Sequence, residues 1–349
     1  MATVQGMTRR LESIQYLRAF AALLVVVHHV RMPHPGLYNP MQHLLVGQAG
    51  VDLFFVISGF IMYSAARHER PAVFLKRRIV RVVPMYWLAT VLFAAARTIE
   101  HSGTVNGALV SEVVQSLLFI PHFSTEFPEH VWPYLVPGWT LNLEMFFYAI
   151  FAIGLLVRRP LPVVVGVMVS LVIVGAVFRP HDAIWATYTK PLLIEFVGGV
   201  LIARLTLREL SGRWAVLLPI GGLLIAASAF FSVYRLFAWG VPGMMMVLGA
   251  VVLEKHGRLP RLRWLSYLGD ASYSIYLFQF FAIAPILTVV TKLHLPGMVA
   301  FSLAMVLGTA GSIVLGLVAH QLLERPLLRW LSRHRRNTPV TAEGAQAPA

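Results

Sequence analysis

The apolar stretch RAFAALLVVVHHV at residues 18–30 carries an arginine at one end and two adjacent histidines at the other. An arginine at the centre of a membrane helix costs about 2.5–3.5 kcal/mol on insertion scales, so such residues indicate a functional site. Arg18 and His29 are 11 positions apart. On a helix, this spacing places the two residues within about 20° of each other around the axis and about 16 Å apart along it. His28 points about 80° away from the direction of Arg18. We therefore expect Arg18 and His29 to face one cavity.

Two acidic residues fall at the expected depth of His29. Asp52 lies in GQAGVDLFFVISGF and Glu144 in PGWTLNLEMFFY, each close to the start of an apolar block. A carboxylate beside a histidine orients the ring and stabilises its charged form, as in a general base. We expect Asp52 or Glu144 to orient His29 in this way. The alternative is that an intramembrane carboxylate only pairs with an arginine to hold helices together. For Glu195, which lies at a similar depth, we favour this structural role, because the neighbouring sequence carries no other polar residue of interest.

Basic residues in FLKRRIVRVVPMYW could bind an anion. Arg77, Arg78 and Arg81 fall within about a quarter of a helix circumference. Arginine makes bidentate contacts that suit phosphate, so the cluster predicts a polyanion site. The alternative is ordinary positive charge at the cytoplasmic ends of membrane helices, which fits Lys76 better.

Composition indicates a membrane protein. The 349-residue chain is 58% hydrophobic and 13% charged, whereas a soluble domain has about 25% charged residues. The net charge of +14 then indicates a basic face against anionic lipids rather than a nucleic-acid partner. The absence of cysteine from the sequence excludes disulfides, thiolate metal sites and a cysteine nucleophile. We expect no metal site, because the histidines near the first block lack metal-ligand spacing.

Apolar blocks of about 17–25 residues predict an all-α polytopic bundle of about ten transmembrane helices. Their approximate cores are residues 14–31, 46–65, 80–99, 139–157, 161–178, 188–205, 214–230, 237–254, 269–290 and 298–322. The block at 108–120 is too short and is expected to be interfacial or re-entrant. Since the blocks show no internal repeat and no long linker, we expect one integral-membrane domain over 1–336. A disordered tail is expected over 337–349.

The positive charges orient this bundle. With ten spans and the N-terminus in the cytoplasm, 23 of the 29 lysines and arginines fall on the cytoplasmic side. Cytoplasmic segments of membrane proteins carry such an excess. The distribution predicts that the N-terminus and the C-terminus are cytoplasmic and that the loop at 100–138 faces outward.

Together, these motifs resemble the bacterial membrane acyltransferase-3 family. IQYLRAFAALLVVVHH is most similar to its exopolysaccharide branch, the ExoZ-like O-acetyltransferases. One family hallmark is an arginine, ten residues and a histidine, matched by Arg18 and His29. Another is two arginines, two residues and an arginine, matched by Arg77, Arg78 and Arg81.

Three further segments match the family, namely GVDLFFVISGF, WTLNLEMFFY and LGDASYSIYLFQF. They supply the positions Asp52, Ser58, Gly59, Trp139, Glu144, Ser272, Tyr273 and Ser274. Ser58 and Gly59 have the alternative of plain close helix packing. The chain departs from the family at Gln279, where many relatives carry a histidine, so any role of that histidine is in doubt here.

The resemblance implies an enzyme of the bacterial cytoplasmic (inner) membrane. It would move an acetyl or other acyl group from acetyl-CoA to a sugar hydroxyl of a lipid-linked or exported polysaccharide. Acetyl-CoA would be a co-substrate, with no bound cofactor, and the other partners would be the glycan and membrane lipids. Arg77, Arg78 and Arg81 would bind the CoA phosphates and Arg18 would line the donor channel. His29 would accept the proton of the hydroxyl.

The rival function is that of a secondary transporter or glycan flippase that uses the buried charges as a substrate or ion path. The lack of an internal repeat counts against it. A structural subunit of a polysaccharide synthase would leave the arginine cluster unexplained.

The orientation is testable because the sequence has no native cysteine. A single cysteine at position 126 should react with a membrane-impermeant maleimide added outside, whereas one at position 68 should react only after the cytoplasmic side is opened. Labelling of position 126 from the cytoplasmic side alone would overturn the predicted depth of His29.

Overall fold

The computed structural model describes residues 11–32, 34–100, 105–231 and 233–333, and all regular structure in these ranges is helical. The helices are α1 (Glu12–Val30), α2 (Ala49–Ala66), α3 (Pro71–Glu100), α4 (Gly107–Leu117), α5 (Gly138–Leu156), α6 (Pro160–Phe178), α7 (Ala183–Tyr188), α8 (Leu193–Leu205), α9 (Leu217–Ala227), α10 (Val241–Lys255), α11 (Arg263–Lys292), α12 (Gly297–Ala319) and α13 (Arg325–Arg333). The predicted tail at 337–349 lies outside the described residues.

The predicted all-α polytopic class is confirmed. Nine helical segments in the described ranges are long and apolar enough to cross a membrane, and each coincides with one predicted span. The seventh predicted span, 214–230, corresponds to a shorter apolar helix, Gly212–Ala227. The count of ten and the orientation of the termini stay predictions.

Several helices differ from the predicted spans. Helix α3 begins at Pro71, nine residues before the predicted core, so the arginine cluster lies within the helix. The sixth span is divided into α7 and α8 at residues 189–192, since Pro191 lacks the N–H needed to continue a helix. The last span continues through a π-helical turn, His320–Glu324, into α13.

Helix α2 lies at the centre of the bundle, where it packs closely against α8. The close approach depends on two glycines, because a Cβ on Gly59 would lie 2.1 Å from the backbone oxygen of Phe196. A Cβ on Gly199 would lie 2.0 Å from the oxygen of Val56. Small residues allow membrane helices to approach in this way. Gly59 therefore has the packing role that the sequence left as an alternative.

This packing generates a stability prediction. The variant Gly199→Ala should destabilise the detergent-solubilised protein by about 1–3 kcal/mol or prevent its accumulation, because the methyl group forces α2 and α8 apart. The matched control is Gly222→Ala on α9, where a Cβ meets no atom within 4 Å. This variant should leave the thermal midpoint unchanged or raise it. Equal midpoints for the two variants would contradict the close packing of α2 and α8.

Candidate active site

A cavity of about 150 Å³ lies among α1, α2, α3, α5 and α11. Its wall on α2 runs from Val51 to Met62, which is about 16 Å along the helix axis. The predicted site residues that line it are Arg18, Ser58, Arg78, Arg81, Glu144 and Tyr273. Five helices that are distant in sequence therefore bring most of the predicted polar residues together.

Two arginines in this cavity have no ion-pair partner within the described part of the chain, namely Arg18 and Arg78. Arg18 makes one long hydrogen bond, from Nη1 to Gln15 Oε1 at 3.4 Å. The buried Nε of Arg78 and the Oγ of Ser272, which also lines the cavity, have no hydrogen-bond partner. Buried donors are nearly always paired, so this end of the cavity is suited to an anionic ligand.

The structure separates Arg77 from the other two arginines of the cluster. Its side chain is 48% exposed and forms an ion pair with Glu69, and it does not line the cavity. The candidate anion site is therefore formed by Arg18, Arg78 and Arg81 rather than by the three clustered arginines. Helical spacing predicts that Arg77 lies on the same side of α3 as Arg78 and Arg81, but it does not reveal that Glu69 lies beside Arg77.

Glu144 lies in the cavity and not beside His29. Its Oε1 accepts hydrogen bonds from Ser58 Oγ, at 3.0 Å, and from the Tyr148 hydroxyl. The carboxylate is thus held by two hydroxyl groups on the α2 and α5 walls. It could orient a substrate group in the cavity, but it does not orient the histidine.

A buried carboxylate that the sequence analysis missed holds Arg81. Glu324 is fully buried and forms an ion pair with Arg81. Its Oε2 accepts a hydrogen bond from Ser274 Oγ at 2.6 Å and lies 2.8 Å from His320 Nδ1. Ser274 thus supports the arginine from a distance and does not line the cavity. The motif HQLLE could have indicated this pairing, because it places two ionisable residues four positions apart at the end of an apolar block.

His29 lies outside the lining of the cavity and contacts Gln279 instead of a carboxylate. The distance from His29 Nδ1 to Gln279 Oε1 is 3.0 Å, so the expected pairing with Asp52 or Glu144 is absent from the described contacts. Gln279 Nε2 donates to the Tyr276 carbonyl at 2.8 Å, which turns its Oε1 toward the histidine. Nδ1 is therefore the protonated nitrogen, and Nε2 keeps its lone pair.

His29 nevertheless lies close to one end of the cavity. Tyr276, which contacts Gln279, lines the cavity together with Thr140. Arg18, which also lines the cavity, lies about 16 Å from His29 along the axis of α1. Arg18 and His29 are on one unbroken helix. Of the two, which were expected to face one cavity, only Arg18 lines it, and His29 lies beyond Tyr276.

The neighbouring histidine belongs to a different network. Arg31 Nη2 donates to His28 Nδ1 at 2.8 Å, and Arg31 Nη1 donates to the carbonyls of Met41 and Gln42. Both His28 and Arg31 are buried. These contacts tie the end of α1 to the following loop, so His28 has a structural role.

Asp52 is also occupied by a structural partner. Arg235 donates from Nε to Asp52 Oδ1 at 3.0 Å and from Nη2 to Oδ2 at 2.7 Å, and its Nη1 bonds Gln48. Trp139 does not line the cavity but packs behind its wall, with its ring centroid 6.5 Å from that of Phe55 and 5.3 Å from Lys190 Nζ. The carboxylate of Asp52 thus ties α2 to Arg235, which directly precedes the π-helical turn Leu236–Gly240 before α10, and none of the described hydrogen bonds joins it to His29.

Comparisons with known proteins give matches over most of the chain. A family profile described as acyltransferase domain, of the acyltransferase-3 type, matches residues 11–317. The chain is 41% identical over 300 residues to the exopolysaccharide production protein ExoZ of Rhizobium meliloti (strain 1021), covering 82% of this chain and 91% of that protein. It is 25% identical to the acyltransferase MdmB of Streptomyces mycarofaciens, covering 93% and 94% of the two chains. No solved structure matches the chain significantly.

Proposed function

This chain belongs to the acyltransferase-3 family and is an acyltransferase, and from that premise we propose its donor, acceptor and chemistry. The enzyme transfers an acetyl or similar acyl group from cytoplasmic acetyl-CoA to a sugar hydroxyl of an exported polysaccharide. The similarity to an exopolysaccharide production protein supports the glycan as acceptor. Membership of this family also disfavours the alternative that the protein is a transporter or flippase.

The observation that carries the proposal is the polarity of the cavity along its length. Unpaired arginine groups lie at one end, and the Gln279-oriented His29 lies beyond the other. A long, thin donor with phosphates at one end and a reactive thioester at the other matches this order.

At the arginine end, Arg78 and Arg81 bind phosphate oxygens of CoA and Arg18 lines the channel through which the arm passes. Glu324 keeps the Arg81 guanidinium in place, because separating the pair would leave an uncompensated charge on a fully buried carboxylate. Arginine suits this role because its planar fork contacts phosphate in a bidentate manner.

At the other end, His29 Nε2 accepts the proton of the acceptor hydroxyl. The hydroxyl oxygen attacks the thioester carbonyl carbon, a C–O bond forms, the C–S bond breaks, and CoA leaves as the thiolate. The proton held by His29 then neutralises this thiolate, directly or through water. Gln279 keeps Nδ1 protonated and so leaves Nε2 free to act as the base.

This chemistry requires the orientation that the charge distribution predicts. The arginine end then faces the cytoplasm, where CoA is made, and His29 faces the outer side, where the glycan is assembled. The enzyme is a multi-pass membrane protein, and we place it in the bacterial inner membrane on this argument.

Arg78 and Arg77 form a matched pair for testing donor binding. Arg78→Ala should raise the KM for acetyl-CoA about tenfold or more, because a hydrogen-bonded charge is lost. Arg77→Ala should leave it unchanged, because Arg77 is exposed and pairs with Glu69. Steady-state CoA release by the purified variants provides the measurement. An unaltered KM in Arg78→Ala would assign that arginine to the general cytoplasmic charge.

His29 and His28 form a second matched pair. His29→Ala should lower kcat by about 10²–10⁴-fold, the usual contribution of a general base. His28→Ala should retain most of the activity at equal protein level, since His28 only joins Arg31 to the loop after α1. Glycan acylation measured by mass spectrometry compares the two. An active His29→Ala with an inactive His28→Ala would show that the base is misassigned.

A further inference from the structure

A second cavity, of about 330 Å³, lies between the end of α3, helix α4 and the segment that leads to α5. We call it the loop cleft. Its lining residues are Arg97, Thr98, Leu109, Glu112, Ser124, Thr125, Glu126, Phe127, Pro133, Tyr134 and Val136. The mechanism proposed above uses none of them.

The loop cleft is lined by charged and hydroxyl groups that hold one another in place. Arg97 Nη2 donates to Glu126 Oε2 at 3.0 Å. Glu112 is buried and accepts hydrogen bonds from the hydroxyl and the backbone N–H of Thr125. Carboxylates and a guanidinium at fixed positions are suited to neutral ligands with several hydroxyl groups, because each can donate or accept at the ligand.

Aromatic rings stand beside these polar groups. Phe127 is 40% exposed and lies 5.6 Å from Trp132, measured between ring centroids, and Trp132 stacks on His130 at 4.0 Å. A sugar ring has apolar C–H faces and a rim of hydroxyl groups. It therefore fits a cleft that combines exposed rings with charged hydrogen-bonding groups.

The loop cleft adjoins the end of the donor cavity near His29. Tyr134 and Val136 line the cleft, and the carbonyl of the next residue, Pro137, accepts a hydrogen bond from the Tyr276 hydroxyl at 3.0 Å. Tyr276 and Thr140 line the donor cavity and contact each other at 2.9 Å. One short stretch of chain, 134–140, thus contributes to both walls.

We propose that the loop cleft binds a sugar unit of the acceptor glycan and directs its hydroxyl toward the Tyr276 end of the donor cavity. This inference rests on the proposed acyl transfer, which it extends by locating the acceptor. Glu126 and Phe127 contact the sugar, whereas the arginine end of the donor cavity contacts only the donor.

The test compares cleft variants with controls of the same chemistry in the same segment. The cleft variants are Glu126→Gln and Phe127→Ala, and the controls are Glu129→Gln and Phe123→Ala, both at exposed positions outside the cleft lining. The probe is exopolysaccharide isolated from a strain that lacks this gene, freed of esters by mild alkali. The readouts are the KM for this glycan and the KM for acetyl-CoA.

Glu126→Gln should raise the KM for the glycan about tenfold, the size of one lost hydrogen bond to a charged group. Phe127→Ala should also raise it, because the apolar face of the sugar ring loses its aromatic contact. The KM for acetyl-CoA should change less than twofold, and both controls should match the wild type. An unchanged KM for the glycan in the cleft variants overturns the proposal. So does an equal rise in both KM values, which would indicate a purely structural role.

A separate measurement distinguishes this proposal from the acyl-transfer proposal. If the wild type releases no CoA from acetyl-CoA and the glycan, the acyl-transfer proposal fails. Isothermal titration of the same glycan then decides the cleft on its own. Weaker binding by Glu126→Gln and Phe127→Ala supports the cleft as a sugar site, and binding equal to that of the wild type overturns it.

Discussion

A charged side chain between membrane helices needs a partner, because desolvating an ion costs several kcal/mol unless an opposite charge or a hydrogen-bond donor lies against it. Two groups of charged residues in the described helices differ in how they meet this constraint. Asp52 is held by Arg235, and Glu324 by Arg81, His320 and Ser274. Arg18 and Arg78 lack an ion-pair partner within the described ranges and line the same cavity. The first group builds the bundle, and the second is available to a ligand.

Both paired networks lie at irregular turns of the helices. Arg235 directly precedes the π-helical turn Leu236–Gly240, and Glu324 ends the π-helical turn His320–Glu324. Such turns re-aim side chains and are frequent near functional sites. Here they allow residues late in the chain to reach α2 and α3, so the ion pairs fix the helices that carry Ser58 and Arg78. The geometry of the active site thus depends on contacts outside it.

The parts of this arrangement that are periodic within one helix could be predicted from the sequence. The common helix of Arg18 and His29 follows from their spacing, and the apolar blocks match the helices that form. The partners of the buried charges could not be predicted in the same way. Asp52 and Arg235 are 183 positions apart, and His29 and Gln279 are 250 apart. Such pairings arise from the packing of distant helices, which a local pattern of hydrophobicity does not specify.

The departure at Gln279 has a physical explanation. A glutamine at this position can accept from His29 Nδ1 while its amide nitrogen is held by the Tyr276 carbonyl, so a neutral group sets the tautomer that a carboxylate was expected to set. In a low-dielectric environment this avoids burying an additional charge. The residue that broke the family pattern is therefore the one that orients the proposed base.

The central claim is that the donor occupies the cavity between the unpaired arginines and His29. A cryo-EM structure of the protein with a thioether analogue of acetyl-CoA, which cannot transfer its acetyl group, tests it most directly. The account predicts phosphate density against Arg78 and Arg81 and the acetyl end near Tyr276 and His29. Phosphate density elsewhere, with this cavity filled by lipid or left without the analogue, would contradict it.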